Sequence, residues 1–173
     1  MTGESSPQRT ASAGHPAVIA LGSNLGDTGA TLRAAVRDLD ATPGITVERT
    51  SGIHQTIAVS LDGPDPSRPR FANAVALIST TLEPLPLLHA LQAIEQRHHR
   101  RRDVRWGDRT LDLDIVDIPG VRLQTAELTV PHVRAAERSF VLAPWAEIDP
   151  AAMLDGTPVA ELLARVRSVG QEC

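Results

Sequence analysis

Apolar and acidic residues alternate strictly from 111 to 115, as Leu111-Asp112-Leu113-Asp114-Ile115. A period of two marks a half-buried strand, whose side chains leave to opposite faces. Leu111, Leu113 and Ile115 are expected to face a core, with Asp112 and Asp114 side by side on the other face. Elsewhere the period changes to that of a helix. Leu32, Ala35, Val36 and Leu39 recur at helical spacing behind Asp27 or Thr28 as cap, and Pro43-Gly44 ends the run. Leu87, Leu88, Leu91 and Ile94 predict a second helix from Pro84 to about His99, and Val159, Leu162, Leu163 and Val166 a closing one. Residues 17–21 form a continuous apolar run, hence a buried strand. Residues 45–56 predict another strand, weakened around Ser51-Gly52. Residues 71–80 predict a third, with Phe71, Asn73, Val75 and Leu77 on one face. The breaker-rich stretch 60–70 reads as a loop.

Strands and helices therefore follow the order β-α-β-β-α-β. This predicts an α+β, ferredoxin-like core, an antiparallel sheet with helices packed on it. At 173 residues, one domain over 17–173 is the natural expectation, preceded by a flexible tail over 1–16 that lacks the apolar core of a signal peptide. The net charge of −4 makes any arginine cluster a local feature and argues against a general nucleic-acid-binding surface. A single cysteine, Cys173, excludes a disulfide framework and fits a reducing cytoplasm. No stretch approaches the length of a transmembrane helix. A monomer is the default.

Candidate chemistry centres on the acidic strand. Carboxylates two residues apart on a strand have Cα atoms roughly 6–7 Å apart and can converge on hard cations such as Mg²⁺. Just upstream lie Arg97, Arg100, Arg101, Arg102, Arg105 and Arg109, with His98, His99 and Trp106-Gly107 among them. Outward aspartates alone are usually a solvated sheet face, and an arginine run alone a solvated helix end. Together they are the parts of phosphoryl transfer, carboxylates for a metal and guanidiniums for phosphates. The turn at 22–27 lacks the Gly-Lys-Ser/Thr of a P-loop. The chain has no tyrosine, two tryptophans and two phenylalanines. Phe71 beside Asn73 can stack a flat heterocycle and bond its edge. Gln92, Glu95 and His99 share a helix face that can look toward a ligand.

Four segments carry a family likeness. Residues 105–116 (Arg-Trp-Gly-Asp-Arg-Thr-Leu-Asp-Leu-Asp-Ile-Val) resemble the signature of the hydroxymethyl-dihydropterin pyrophosphokinases of the folate pathway. Residues 20–27, 71–77 and 130–142 are similar to the family's opening turn, central strand and last block, in the right order. The resemblance implies transfer of pyrophosphate from ATP to 6-hydroxymethyl-7,8-dihydropterin, releasing AMP. Asp112 and Asp114 would hold two Mg²⁺ ions with the ATP, and Arg100 and Arg109 would join them as catalytic residues. Gln92, Glu95, Arg102, Trp106, Ile115, Thr129, His132 and Arg138 match nucleotide-side positions, with Arg109 shared. Thr56, Phe71, Asn73 and Phe140 match the pterin side, with Trp106 in a loop that closes over both. Thus both phenylalanines fall at stacking positions. The departures from the family pattern are His99, Asp108, Ile57-Ala58-Val59, Glu127 and Val133, and none removes a metal ligand. Two rival readings are a nucleic-acid-binding module and a metal-dependent phosphohydrolase. The first leaves the aspartates unexplained, the second the paired rings.

Overall fold

The computed structural model describes residues 13–60, 63–65, 69–98 and 110–170. In chain order these form β1 (His15–Ser23), α1 (Thr28–Asp40), β2 (Ile45–Thr50), β3 (His54–Thr56), β4 (Ala58–Ser60), β5 (Gly63–Asp65), β6 (Phe71–Thr80) and α2 (Pro84–Arg97). The second part holds β7 (Asp112–Asp117), β8 (Leu123–Gln124), β9 (Thr129–Val130), a 3-10 turn at Ala135–Glu137, α3 (Ser139–Ile148), β10 (Met153–Leu154), β11 (Thr157–Pro158) and α4 (Val159–Gly170).

The main sheet has five strands in the order β2-β6-β1-β7, with β3 paired to β6 beyond the end of β2. All its pairings are antiparallel. Taking β1, α1, β2, β6, α2 and β7 together gives the expected β-α-β-β-α-β order. Because β1 has a partner on each edge and helices over both faces, residues 17–21 had to be apolar throughout.

Two apolar clusters sandwich the sheet. On one face Ile19, Leu21, Ala74, Ile78, Leu113 and Ile115 meet Leu32 and Leu39 of α1 and Leu87, Leu91 and Ile94 of α2. Burying each of the larger side chains stabilises the fold by about 1.5–3 kcal/mol. On the other face Val18, Val75 and Val116 meet Val141, Leu142 and Trp145 of α3 and Val159 and Leu162 of α4. This second layer extends the sequence expectation, in which residues 130–142 entered only by their likeness to the family's last block.

Local signals explain the element ends. Asp27 caps α1, its Oδ1 accepting from the Ala30 amide at 2.9 Å. Pro84 opens α2, where a missing N–H costs nothing. Gly44 has φ of 85°, a left-handed conformation that suits glycine, and its carbonyl accepts from the Thr80 hydroxyl and the Thr81 amide.

Two expectations are refined. The sheet begins at His15, paired with Thr80, so two residues assigned to the tail belong to β1. The stretch read as one loop from 60 contains a short hairpin, β4 with β5, in register Ser60 to Gly63. The β-branched Val59 favours a strand there, a signal that the surrounding prolines mask.

Candidate active site

Sheet register brings the site together. Gly22 of β1 pairs with Asn73 of β6 on one side and with Asp112 of β7 on the other. Directly paired residues face the same way, so Asn73 and Asp112 look out over one face, about 10 Å apart across two strand spacings. A Cβ built on Gly22 would meet Asn73 Oδ1 at 3.5 Å, so the space between them is left by an absent side chain. In the next row Ala20 pairs with Val75 and with Asp114. Val75 lies in the cluster under α3, so the two aspartates occupy the α3 face, where the helical cover ends. Leu111, Leu113 and Ile115 are buried, and Asp112 and Asp114 are partly exposed, as the alternation predicts.

The residues after β9 close over these aspartates. The His132 amide donates to the Val116 carbonyl at 2.8 Å, tying the segment to β7. The Arg134 amide donates to His132 Nδ1 at 3.1 Å, which assigns the proton of the neutral ring to Nε2. Burial holds this imidazole below its usual range; Asp114 pulls the other way, and Arg138 adds to the depression. Arg138 precedes α3, with Nη1 3.8 Å from Asp114 Oδ2 and Cζ 5.6 Å from the centroid of the Phe140 ring. Asp112, Asp114, His132, Arg138 and Phe140 therefore form one group. Phe140 is more than a third exposed despite its size, which is unusual for one of only two phenylalanines.

Across the Gly22 gap stands the second group. Asn73 is 7% exposed, and its Nδ2 donates to Thr56 Oγ1 at 2.9 Å. The Thr56 hydroxyl keeps its own proton to donate. Thr56 of β3 pairs with Phe71 of β6, so ring, carboxamide and hydroxyl sit within one short ladder. Ser23 and Asn24 are buried at the end of β1, and Ser23, paired with Ala72, turns to the face opposite Gly22 and Asn73.

Other predicted positions land differently. Glu95 is 2% exposed, and its Oε1 accepts from the Leu113 amide at 2.8 Å. It braces β7 between the two aspartates from the α2 side, a role that its helical spacing did not reveal. The Ile115 side chain is core, so only its main chain is available to a ligand. Gln92 and Thr129 are half-buried. Glu127 is exposed near His89 at 3.6 Å, and Val133 is 72% exposed. His99, Arg100, Arg102, Trp106, Asp108 and Arg109 lie outside the described residues. Among the described residues no group of three or more His, Cys, Asp or Glu is placed to hold a metal. Also among them, no helix is long and apolar enough to cross a membrane.

Fold and site together set carboxylates and a guanidinium on one side of a bare glycine step and a ring and a carboxamide on the other. The family model for 7,8-dihydro-6-hydroxymethylpterin-pyrophosphokinase matches residues 18–150. The chain is 45% identical over 132 residues, 76% of its length, to a 2-amino-4-hydroxy-6-hydroxymethyldihydropteridine pyrophosphokinase of Bacillus subtilis, covering 77% of that protein. To the protein of the same name from Pseudomonas aeruginosa it is 43% identical over 147 residues, covering 84% of this chain and 88% of the other. The chain belongs to the 7,8-dihydro-6-hydroxymethylpterin-pyrophosphokinase family. Its fold is that of the Plasmodium falciparum HPPK-DHPS crystallised with pteroate, with a TM-score of 0.73 at 13% identity, over 94% of this chain and 44% of that one.

Proposed function

We propose that this chain takes the pyrophosphoryl group it transfers from ATP and binds the two substrates on opposite sides of the Gly22 step. Pyrophosphoryl transfer to hydroxymethyl-dihydropterin in folate biosynthesis is the activity of the family to which it belongs. The pterin hydroxymethyl oxygen forms a bond to the β-phosphorus and gives up its proton to water, while the bridge between α- and β-phosphorus breaks and AMP leaves. The single observation that carries this reading is the shared register partner, Gly22, which sets Asn73 and Asp112 on one face about 10 Å apart.

The residues present suit Mg²⁺. It binds through one or two carboxylates, with phosphate oxygens and water filling the remaining positions. Two partly exposed aspartates on one strand are that donor set. Asp112 and Asp114 would hold the two ions, whose charge offsets that developing on the transferred group. Arg138 lies beside Asp114 and offers a guanidinium to a phosphate. His132, neutral with its proton on Nε2, offers an uncharged donor on the same side. The matching roles of Arg100, Arg102 and Arg109 on phosphate, and of Trp106 in closure, follow from the likeness at 105–116, as do those of Gln92, Thr129 and the Ile115 main chain toward the nucleotide.

On the other side Phe71 and Phe140 would stack on the two faces of the pterin, while Thr56 and Asn73 meet its hydrogen-bonding edge. We place the reaction in the cytoplasm and expect a monomer that binds neither nucleic acid nor membrane. The test is direct. Protein, ATP, Mg²⁺ and 6-hydroxymethyl-7,8-dihydropterin are incubated and the nucleotides separated by chromatography. AMP formed only when pterin is present, and lost on chelation of the metal, is the expected result. ADP or free phosphate formed without pterin overturns the proposal in favour of a phosphohydrolase.

A further inference from the structure

The two rings proposed to sandwich the pterin sit on different elements. Phe71 belongs to β6, paired with Thr56 of β3, and Phe140 to the first turn of α3. A flat ring between them needs about 7 Å, two van der Waals contacts of roughly 3.5 Å each. Most of what holds α3 to the sheet is apolar contact among Val75, Val141, Leu142 and Trp145. Such contact is non-directional, and bonds at a defined point add to it in fixing where the helix sits along its axis.

At the far end of α3 the contact is directional. Glu147 Oε1 accepts from the Gly52 amide at 2.7 Å, and its Oε2 lies 2.5 Å from His54 Nε2. Next to it, Arg49 Nη1 donates to the Ile148 carbonyl at 3.0 Å. The segment so gripped is itself pinned to β6. The Ser51 amide donates to the Val75 carbonyl, and the Val75 amide donates to Ser51 Oγ, both at 2.9 Å. His54 then pairs with Asn73, and Thr56 with Phe71. Gly52 fits this role, because a Cβ there would come within 3.3 Å of Glu147 Oε1. First the Gly52 amide and then His54 hold the Glu147 carboxyl below its usual range.

We propose that Glu147 is a positioning residue for the pterin slot, its carboxylate bridging Gly52 and His54 so that Phe140 is held at a fixed offset from Phe71, Thr56 and Asn73. Glu147 lies two helical turns from Phe140 and acts through the helix. The inference rests on the pterin-side reading above and adds what sets the width of the slot. It also predicts a separation of substrates, since the aspartates on β7 are positioned from the other side, by β1 and Glu95.

The experiment compares Glu147→Ala and Glu147→Gln with the parent protein, measuring KM for each substrate after circular dichroism has confirmed folding. Glu147→Ala should raise the pterin KM by about fivefold, equivalent to roughly 1 kcal/mol, with the ATP KM within about twofold. Glu147→Gln retains an acceptor for Gly52 and a polar partner for His54, and should restore the pterin KM to within about twofold of the parent. A pterin KM unchanged in Glu147→Ala, or both KM values rising together, overturns the proposal. Phe140→Ala in the same assay separates it from the reading beneath. An unchanged pterin KM there overturns the slot itself, whereas a raised one beside an unaffected Glu147→Ala overturns the clamp alone.

Discussion

Asp112 and Asp114 are held by a strand and kept apart from the core, so their removal tests chemistry with little effect on folding. Asp112→Asn should keep the melting temperature of the metal-free protein within a few degrees. It should lower turnover about 1000-fold or more, roughly 4 kcal/mol of lost charge stabilisation. A steady-state AMP assay beside a thermal melt checks both halves. Asp117, three residues on, is the opposite kind of aspartate. It is 5% exposed and its Oδ1 has no partner. Burial raises its pKa, Arg122 and the Ile118 amide oppose this, and Asp155 adds to it. A carboxyl raised in the folded state contributes stability that is complete below the ordinary value of 3.8 and is lost as pH rises through the folded value. Asp117→Asn should therefore raise the melting temperature at neutral pH by about 2–4 °C, the equivalent of about 1 kcal/mol for an unsatisfied buried group. That gain should shrink toward pH 4 in melts run across the range. The alternation at 111–115 made the first two aspartates legible. It stops at Val116, where the pairing of β7 with β1 also shifts, so the alternation gives no reading of Asp117, and nothing local records that Arg122 and Asp155 act on it.

At the scale of elements, what was legible was periodic. The helices α1, α2 and α4 follow from apolar residues three and four apart, and the weakening at Ser51-Gly52 does separate β2 from β3. What was hidden depends on partners distant in sequence. Glu147 lies 95 residues from Gly52, and no local pattern records such a pairing. Glu95 is the sharper case, since its spacing from Gln92 describes a helix face but not what covers it. Here that face meets the rim of β7, and the carboxylate takes the Leu113 amide. Glu95→Ala should cost about 2–4 kcal/mol in chemical denaturation, because it leaves both a hollow and an unmet amide. It should also lower kcat, because that amide lies between the two aspartates. Glu95→Gln keeps the acceptor and should retain most of both. Equal damage from the two variants would mean that charge, and not the bond to β7, is what Glu95 supplies.

For the molecule as a whole, the helices over the two faces divide the labour. The α1 and α2 side is packed mainly with aliphatic residues and carries no proposed substrate side-chain contact of its own beyond Gln92. The α3 and α4 side leaves the end of the sheet open, and both halves of the proposed substrate site lie there. Gly22→Val should fold normally, since the first added carbon meets Asn73 at ordinary contact distance. Its branches would project into the gap, so turnover should fall at least tenfold, about 1.4 kcal/mol, while the melting temperature changes little. Leu39→Ala is the converse, emptying a fully buried site on α1 at a cost of about 2–5 kcal/mol. Its turnover per folded molecule should match that of the parent, measured well below its melting temperature. The contrast follows from the pairing of Gly22 with both Asn73 and Asp112. The sheet there acts as a ruler graduated in peptide spacings, and its length is written in main-chain hydrogen bonds that no core side chain sets. A lineage could thus trade core residues and drift in stability while the distance between Asn73 and Asp112 stayed constant.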